Sequence, residues 1–531
     1  MQPSTARFEA RHGRLHRRLL PFTAALLLSV AASAHAPDSA GRPLAPSDVQ
    51  WLQRATFGID SASLASYRQL GRRRWLDVQL AGRNDRLPPA IANLIASYPA
   101  ISTPPQELLA QAAEARRQLK SMPEGDAKVA AKKNLQKQAR ELAQQAQQAE
   151  LLRAIYGSNP LKEQVVWFWL NHFSVYGAKG RVRLFAADYE EHAIRPHALG
   201  KFRDLLLATL KSPAMLEYLD NAKNVKGKTN ENYARELMEL HALGVGSGYT
   251  QQDVQQLALI LTGAGIASPK PARRARTGRF GRTRPGFVRD GLFVFNPDRH
   301  DFSDKTLLGQ RLHGSGYREI EQAVDLITRQ PACARFVSRQ LAEYFVADQP
   351  PPALIEAMAK TFQRSDGDIA AVLRTMFDSP ELTGGEAKKF KDPTRFLVSA
   401  MKLAYDGQPI SNAQPLVNWL NQMGEPVFGR VTPDGWPLDS ASWSGSGQMA
   451  TRFEVARAIG SGRNKLFMTD TDERNQATPR ARPAVPALDS PLYRAVVEPR
   501  LSQATRTALG KATSAAEWNT YLLSSPDFNY R

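Results

Sequence analysis

Cysteine is all but missing from this chain. Cys333 is the only one in 531 residues, so an internal disulfide is excluded and the fold must stand on its apolar core, as this length permits. It sits in Pro331-Ala332-Cys333-Ala334-Arg335-Phe336, a helix-start pattern in which a small buried residue is expected. After the first 36 residues there is no long hydrophobic run, so no segment beyond them is expected to cross a bilayer. A nucleotide fingerprint, zinc-ligand spacing and a nucleophile elbow are absent too. The Asp-Gly-Asp fragment at 366–368 lacks the alternating ligands and terminal glutamate of a calcium loop.

Positive charge, by contrast, is in excess: 70 Lys and Arg against 51 Asp and Glu, a net +19. Part of it lies at the start. Arg11, Arg14, Arg17 and Arg18 precede an apolar run from Leu19 to Ala32, followed by Ala34-His35-Ala36. That is the layout of a signal peptide, with cleavage expected after Ala36 and a periplasmic or extracellular destination. The run is too short for a comfortable membrane span, and Arg17-Arg18 leaves the twin-arginine route open beside the general one. A second concentration of charge is local. Lys270, Arg273, Arg274, Arg276, Arg279, Arg282, Arg284 and Arg289 crowd a Pro/Gly-punctuated stretch, read as a basic disordered loop over 266–290. Such a loop suits an anionic surface or polysaccharide, or is simply a solvated insertion. No aromatic stacking pattern accompanies the charge, so nucleic acid is not expected as a partner.

Helical periodicity dominates the rest. The expected fold is mainly α: a multi-helix domain over 37–460, a helical hairpin at 105–157 with its turn at Pro123-Glu124-Gly125, and one small β-hairpin. The strand signals for that hairpin are Leu292 to Phe295 and Lys305 to Leu308. A continuous helix is read from Asp188 to Leu210, and a capping box at Thr250 to Asp253 opens another. Residues 461–490 read as a polar connection to a C-terminal helical segment, 491–531, that packs on the main domain.

Two segments could carry chemistry. In 165–176 the apolar residues run nearly all round the helix, which marks it as buried, yet it includes Asn171 and His172. In the helix from Asn230, spacing aligns Asn232, Glu236 and Glu239 on one face beside Arg235, with Tyr233, Leu237 and Leu240 opposite. His172 with Glu236 or Glu239 would make an acid–base pair or half of a metal site; alternatively these side chains lock two core helices together. His300 and Asp301 form a second candidate, as loop ligand or base, or as a turn-capping Asp beside an exposed His. Trp436, in a Gly/Ser/Pro-rich loop near Trp443, could stack on a sugar ring or anchor its loop to the core.

Several blocks, in order, carry a family resemblance: Leu52-Gln53-Arg54-Ala55-Thr56-Phe57-Gly58, Trp167 to Phe173, Phe202-Arg203-Asp204-Leu205-Leu206, Asn230 to Gly244, His300-Asp301 and Gly435-Trp436-Pro437. The chain resembles the bacterial exported family called domain of unknown function 1800. The resemblance implies an exported, mostly helical protein, and a partner from a second exported family, numbered 1501, often encoded beside it. It carries over no catalytic residues and no cofactor, none being established for the family. Two functions follow as expectations: a binding or assembly protein of the cell envelope, or a metal-dependent or acid–base hydrolase acting on envelope or environmental polymer.

Overall fold

The computed structural model of the protein describes residues 42–83, 85–268, 285–382, 389–468 and 484–531. The expected signal segment 1–36, the arginines from 273 to 284 and residues 469–483 of the expected connection lie outside the described residues. The protein is mainly α, and one continuous apolar core runs from Val49 to Phe528. Among the described residues no helix is long and apolar enough to cross a membrane.

At the centre is the helix Pro160–His172, buried along nearly its whole length. Asn159 caps it by accepting from the Lys162 N–H at 3.0 Å, and Pro160 takes the first turn, where a missing N–H is harmless. Beside it runs the 31-residue helix Asp126–Tyr156, whose last third is buried; its outer part pairs with Pro105–Ser121 to form the hairpin. The thin stripes of leucine and alanine explain this division. Leu108 and Leu109 are buried at the foot of the first arm, whereas Leu135, Ala139 and Leu142 are only half-buried.

Two helices expected to be regular are not. The stretch read as continuous from Asp188 to Leu210 contains a π-helix, Tyr189–Ile194, closed by Arg195 N–H to Glu190 O at 2.9 Å, and regular helix resumes only at Phe202–Lys211. The helix Asn232–Glu236 likewise passes into a π-helix, Leu237–Ala242, closed by Leu243 N–H to Met238 O at 2.9 Å. A π turn inserts a residue into the helical register. As a result His241, not Leu240, follows Tyr233 and Leu237 into the core, and Leu240 stays half-exposed.

The strands are present with different partners from those expected. Strand β3 (Phe293–Phe295) lies between β1 (Ala264–Ile266) and β2 (Val288–Asp290), all antiparallel, while β4 (Lys305–Leu307) pairs with β5 (Gln310–Leu312). Leu308 and Gly309, at φ 49° and 76°, form the tight turn between β4 and β5. The helix Ala515–Ser524 packs on Ser446–Gly460, where Asn519 donates to Gly460 O at 2.8 Å.

Charge is buried at the heart of this assembly. Arg195 donates to both carboxylate oxygens of Glu163, at 2.9 and 3.0 Å, to Glu190 at 2.8 Å and to Glu150 at 3.3 Å. Arg153 adds Glu191 at 2.6 Å and Glu190 at 3.5 Å. Burial, and then the charge of Glu190, pushes the Glu150 carboxyl well above its ordinary range. Burial works the same way on Glu190, but Arg195 and Arg153 outweigh it and hold that carboxyl below its usual value. Removing one partner of such a group strands charge in a dry interior. Arg195→Met is therefore expected to destabilise the protein by roughly 3–5 kcal/mol, measured by chemical denaturation. A loss below about 1 kcal/mol, the scale of a surface ion pair, would show that the network is not what ties these helices.

A candidate binding cleft

The C-terminal end of the central helix opens into a cleft of about 830 Å³. Its floor carries Phe168, Asn171 and His172; one side is the π-helix with Glu239 and Leu240, continued by Gly244 to Gly248. The facing side is the helix Pro331–Phe345, presenting Arg335, Phe336, Arg339, Gln340 and Glu343, and the rim is the loop with Asp434, Trp436 and Leu438. A second depression of about 460 Å³ shares Gln340, Glu343, Asp434, Trp436 and Leu438 and runs on to Asp348 and Asp439. The two together form an open trough.

The structure brings together His172, Asn171, Glu239 and Trp436 here, and gives the first two structural partners. Asn171 clamps the main chain of the rim: its Oδ1 accepts from the Trp436 N–H at 2.6 Å and its Nδ2 donates to the Trp436 carbonyl at 2.9 Å. Gly435 makes this approach possible, since at φ 74° a Cβ would run into the Asn171 main chain. His172 does not meet a glutamate. Its Nε2 lies 2.8 Å from the carbonyl of His241, which can only accept, so the proton sits on Nε2 and the lone pair on Nδ1. Burial among Phe168, Trp169, Phe173 and Phe336 lowers its pKa to about 4, so the ring is neutral at pH 7. Beneath it His241 is fully buried, neither ring nitrogen has a hydrogen-bond partner among the described residues, and burial followed by His172 lowers its pKa to about 3.

Glu239, Glu343 and Asp434 form the polar side, while Arg235 and Glu236, on the helix Asn232–Glu236, do not line the cleft. Burial, then Glu239 and Asp434, pushes the half-buried Glu236 carboxyl above its ordinary value against the pull of Arg235. Burial raises Glu343 as well. Burial alone would raise Asp434, but its bonds from Arg430, at 2.8 and 3.1 Å, and from Thr432 hold it below the usual range. Arg235 links Glu231 at 3.1 Å to Glu239 at 3.5 Å, and Tyr249, pushed up to about 12 by burial and a hydrogen bond to Glu239, closes the row. Asn232 takes no part in the cleft: its Nδ2 donates to Leu219 O at 3.2 Å. Among the described residues no group of three or more His, Cys, Asp or Glu side chains could hold a metal ion.

His300 and Asp301 lie elsewhere. His300 is buried, with Nδ1 2.8 Å from Thr262 O and Nε2 3.1 Å from Glu319, which also accepts from Lys305 at 2.7 Å. Asp301 caps the turn by accepting from the Ser303 N–H at 2.9 Å. The exposed loop histidine of the sequence reading is thus a core group fastening β4 to the helix Tyr317–Thr328. Sequence reasoning missed Arg335, Arg339 and Glu343. Their i, i+4 spacing was visible, but a charged stripe on an amphipathic helix is ordinarily just a solvated face.

The histidines predict a pH dependence. A histidine whose folded pKa lies below its unfolded value of 6.5 leaves stability intact above pH 6.5 and lost as pH falls toward the folded value, about 4 for His172 and about 3 for His241. Over that window each should remove about 1.4 kcal/mol per pH unit. Melting curves between pH 7 and 4 should therefore be steeper for the wild type than for His241→Phe; equal slopes would refute this account of the floor. Gly435→Ala should lower stability by about 1–3 kcal/mol through strain at positive φ, and change Trp fluorescence as the rim lifts. An unchanged melting temperature and spectrum would show that the clamp does not set the rim.

Residues 50–530 match the model of a family described as a protein of unknown function, DUF1800. No curated protein and no solved structure matches the chain. The match spans the central helix, both π-helices and every wall of the trough, and it covers most of the chain: the protein belongs to the DUF1800 family.

Proposed function

We propose that the protein is an exported binding protein of the cell envelope whose trough holds a strand of polysaccharide. The observation that carries this reading is the lining. A long open groove combines an aromatic rim residue, Trp436, with carboxylates and guanidinium groups from Glu239, Glu343, Asp434, Arg335 and Arg339. Sugar rings offer apolar C–H faces for an aromatic and hydroxyl edges for planar charged groups, so alternating surfaces of this kind fit them. The floor supports binding over chemistry, because Asn171 is engaged with the rim and His172 with a backbone carbonyl. Export rests on the N-terminal basic and apolar pattern. The arginine-rich stretch at 270–289 and a partner from the exported family numbered 1501 would add further contacts with the envelope.

A second reading is favoured by one observation. Burial, and then Glu239, pushes the Glu236 carboxyl above its ordinary value, and a carboxyl raised in this way beside a second one is a starting arrangement for a general acid. This is the hydrolase alternative, acting on the same polymer.

One experiment addresses both. Purified protein is titrated with neutral and acidic oligosaccharides by calorimetry, and the mixtures are analysed for shortened products. Binding that falls at least tenfold in Arg339→Ala and Trp436→Ala, with no products, supports the binding protein. Products that vanish in Glu236→Gln while binding persists would establish the hydrolase. No binding to any glycan in the panel, with all proteins folded, would overturn the proposal.

A further inference from the structure

The floor of the trough carries one unmet hydrogen-bonding atom, Nδ1 of His172. The residue is only 8% exposed and lines the trough. Its Nε2 proton is engaged by the His241 carbonyl at 2.8 Å, so Nδ1 presents a lone pair. No donor meets that lone pair among the described residues, and unlike both ring nitrogens of His241 it is not sealed in the interior. An acceptor held this deep calls for a donor, from water or from a ligand.

The atoms around it are mostly carbon. The Phe168 ring stacks on the imidazole at 5.8 Å between centres, and Phe336, from the facing helix, lies 5.9 Å away. Both line the trough together with Leu243. Gly244, at φ 85°, lets its loop close against this wall, since a Cβ there would come within 2.7 Å of the Phe336 ring. Burial lowers the His172 pKa to about 4, so at neutral pH the ring remains an acceptor. The facing helix also offers the donors of Arg335 and Arg339 to the trough.

The substituents that sugar rings carry fare differently against such a floor. A carboxylate brings lone pairs toward a lone pair. An ammonium brings donors but must shed its water among aromatic rings, and Glu239, Glu343 and Asp434 elsewhere in the trough suit it better. A hydroxyl can donate to Nδ1, but its own lone pairs are then left against carbon. An acetamido group brings a single N–H and a methyl, and its carbonyl points the opposite way from the N–H, free to accept from a guanidinium or from water. We infer, resting on the polysaccharide reading above, that the glycan held in the trough is an N-acetylated amino-sugar polymer. Its acetamido N–H donates to His172 Nδ1 while the methyl packs against Phe168, Phe336 and Leu243. His172 is then the residue that sets specificity.

The test uses the full chain, titrated by calorimetry with chitotetraose, its deacetylated form, cellotetraose and tetragalacturonate. Wild type should bind chitotetraose about tenfold tighter than the others, the scale of one well-met hydrogen bond in an apolar setting. In His172→Gln the amide can still donate to the His241 carbonyl, but no acceptor stands at the place of Nδ1. The preference should therefore shrink to about threefold or less in a folded protein. In ¹⁵N NMR of histidine-labelled wild type, the Nδ1 resonance should move on adding chitotetraose, which a merely structural histidine would not show. Equal binding of chitotetraose and cellotetraose, or a preference for the uronate or the deacetylated form, overturns this specificity and leaves the polysaccharide reading standing. A preference for chitotetraose that persists in His172→Gln overturns the role given to His172. No binding of any of these glycans overturns the specificity together with the reading beneath it. Should His172→Gln fail to fold, the wild-type preference and the Nδ1 resonance decide the matter.

Discussion

The guanidinium of Arg195 is the fixed point around which the helices are arranged. It reaches Glu150 on the long helix, Glu163 on the central helix and Glu190 on a π-helix, all in the interior. Isolated charges of this kind would be prohibitive in a dry core; here each carboxylate has a guanidinium partner. The geometry is exacting, because a planar fork must meet three carboxyls from three elements. The hairpin arms can diverge and their stripes can be thin, since the foot of the long helix is held by this network and not by the arms.

The two π-helices extend the same constraint to the trough. One supplies Glu190 to the charge group and sends Tyr189 to donate to Phe173 O at 2.7 Å; the other presents the His241 carbonyl to His172 at 2.8 Å. The end of the central helix is thus tied on two sides, at the point where Asn171 clamps the rim. Because the π register turns His241 inward, the cost of an unsatisfied imidazole is carried beneath the cleft. Such irregular turns persist where a wall position matters more than local stability.

Much of this was legible in the residues. Polar groups in an apolar helix marked Asn171 and His172 as engaged, capping residues placed Thr250 to Asp253 correctly, and the family blocks fixed the kinship. What failed did so for physical reasons. A 3.6-residue period assumes an unbroken α-helix, so it put Leu240 where His241 lies and ran one helix through Tyr189–Ile194. Strand signals named β3 and β4 but not their partners, because pairing depends on β1, β2 and β5, whose sequences carry little alternation. The clamp between Asn171 and Trp436 spans 265 residues, a separation that local pattern does not report. His300 looked like a loop residue by neighbours in sequence and became buried through Glu319 and Lys305.

The clamp has one further consequence. Asn171 grips residue 436 through its N–H and carbonyl, groups that every amino acid except proline possesses. The wall of the trough is consequently held independently of which side chain it displays. Position 436 is in effect a socket, where relatives could exchange tryptophan for another residue and retune what the trough accepts without redesigning the scaffold that carries it.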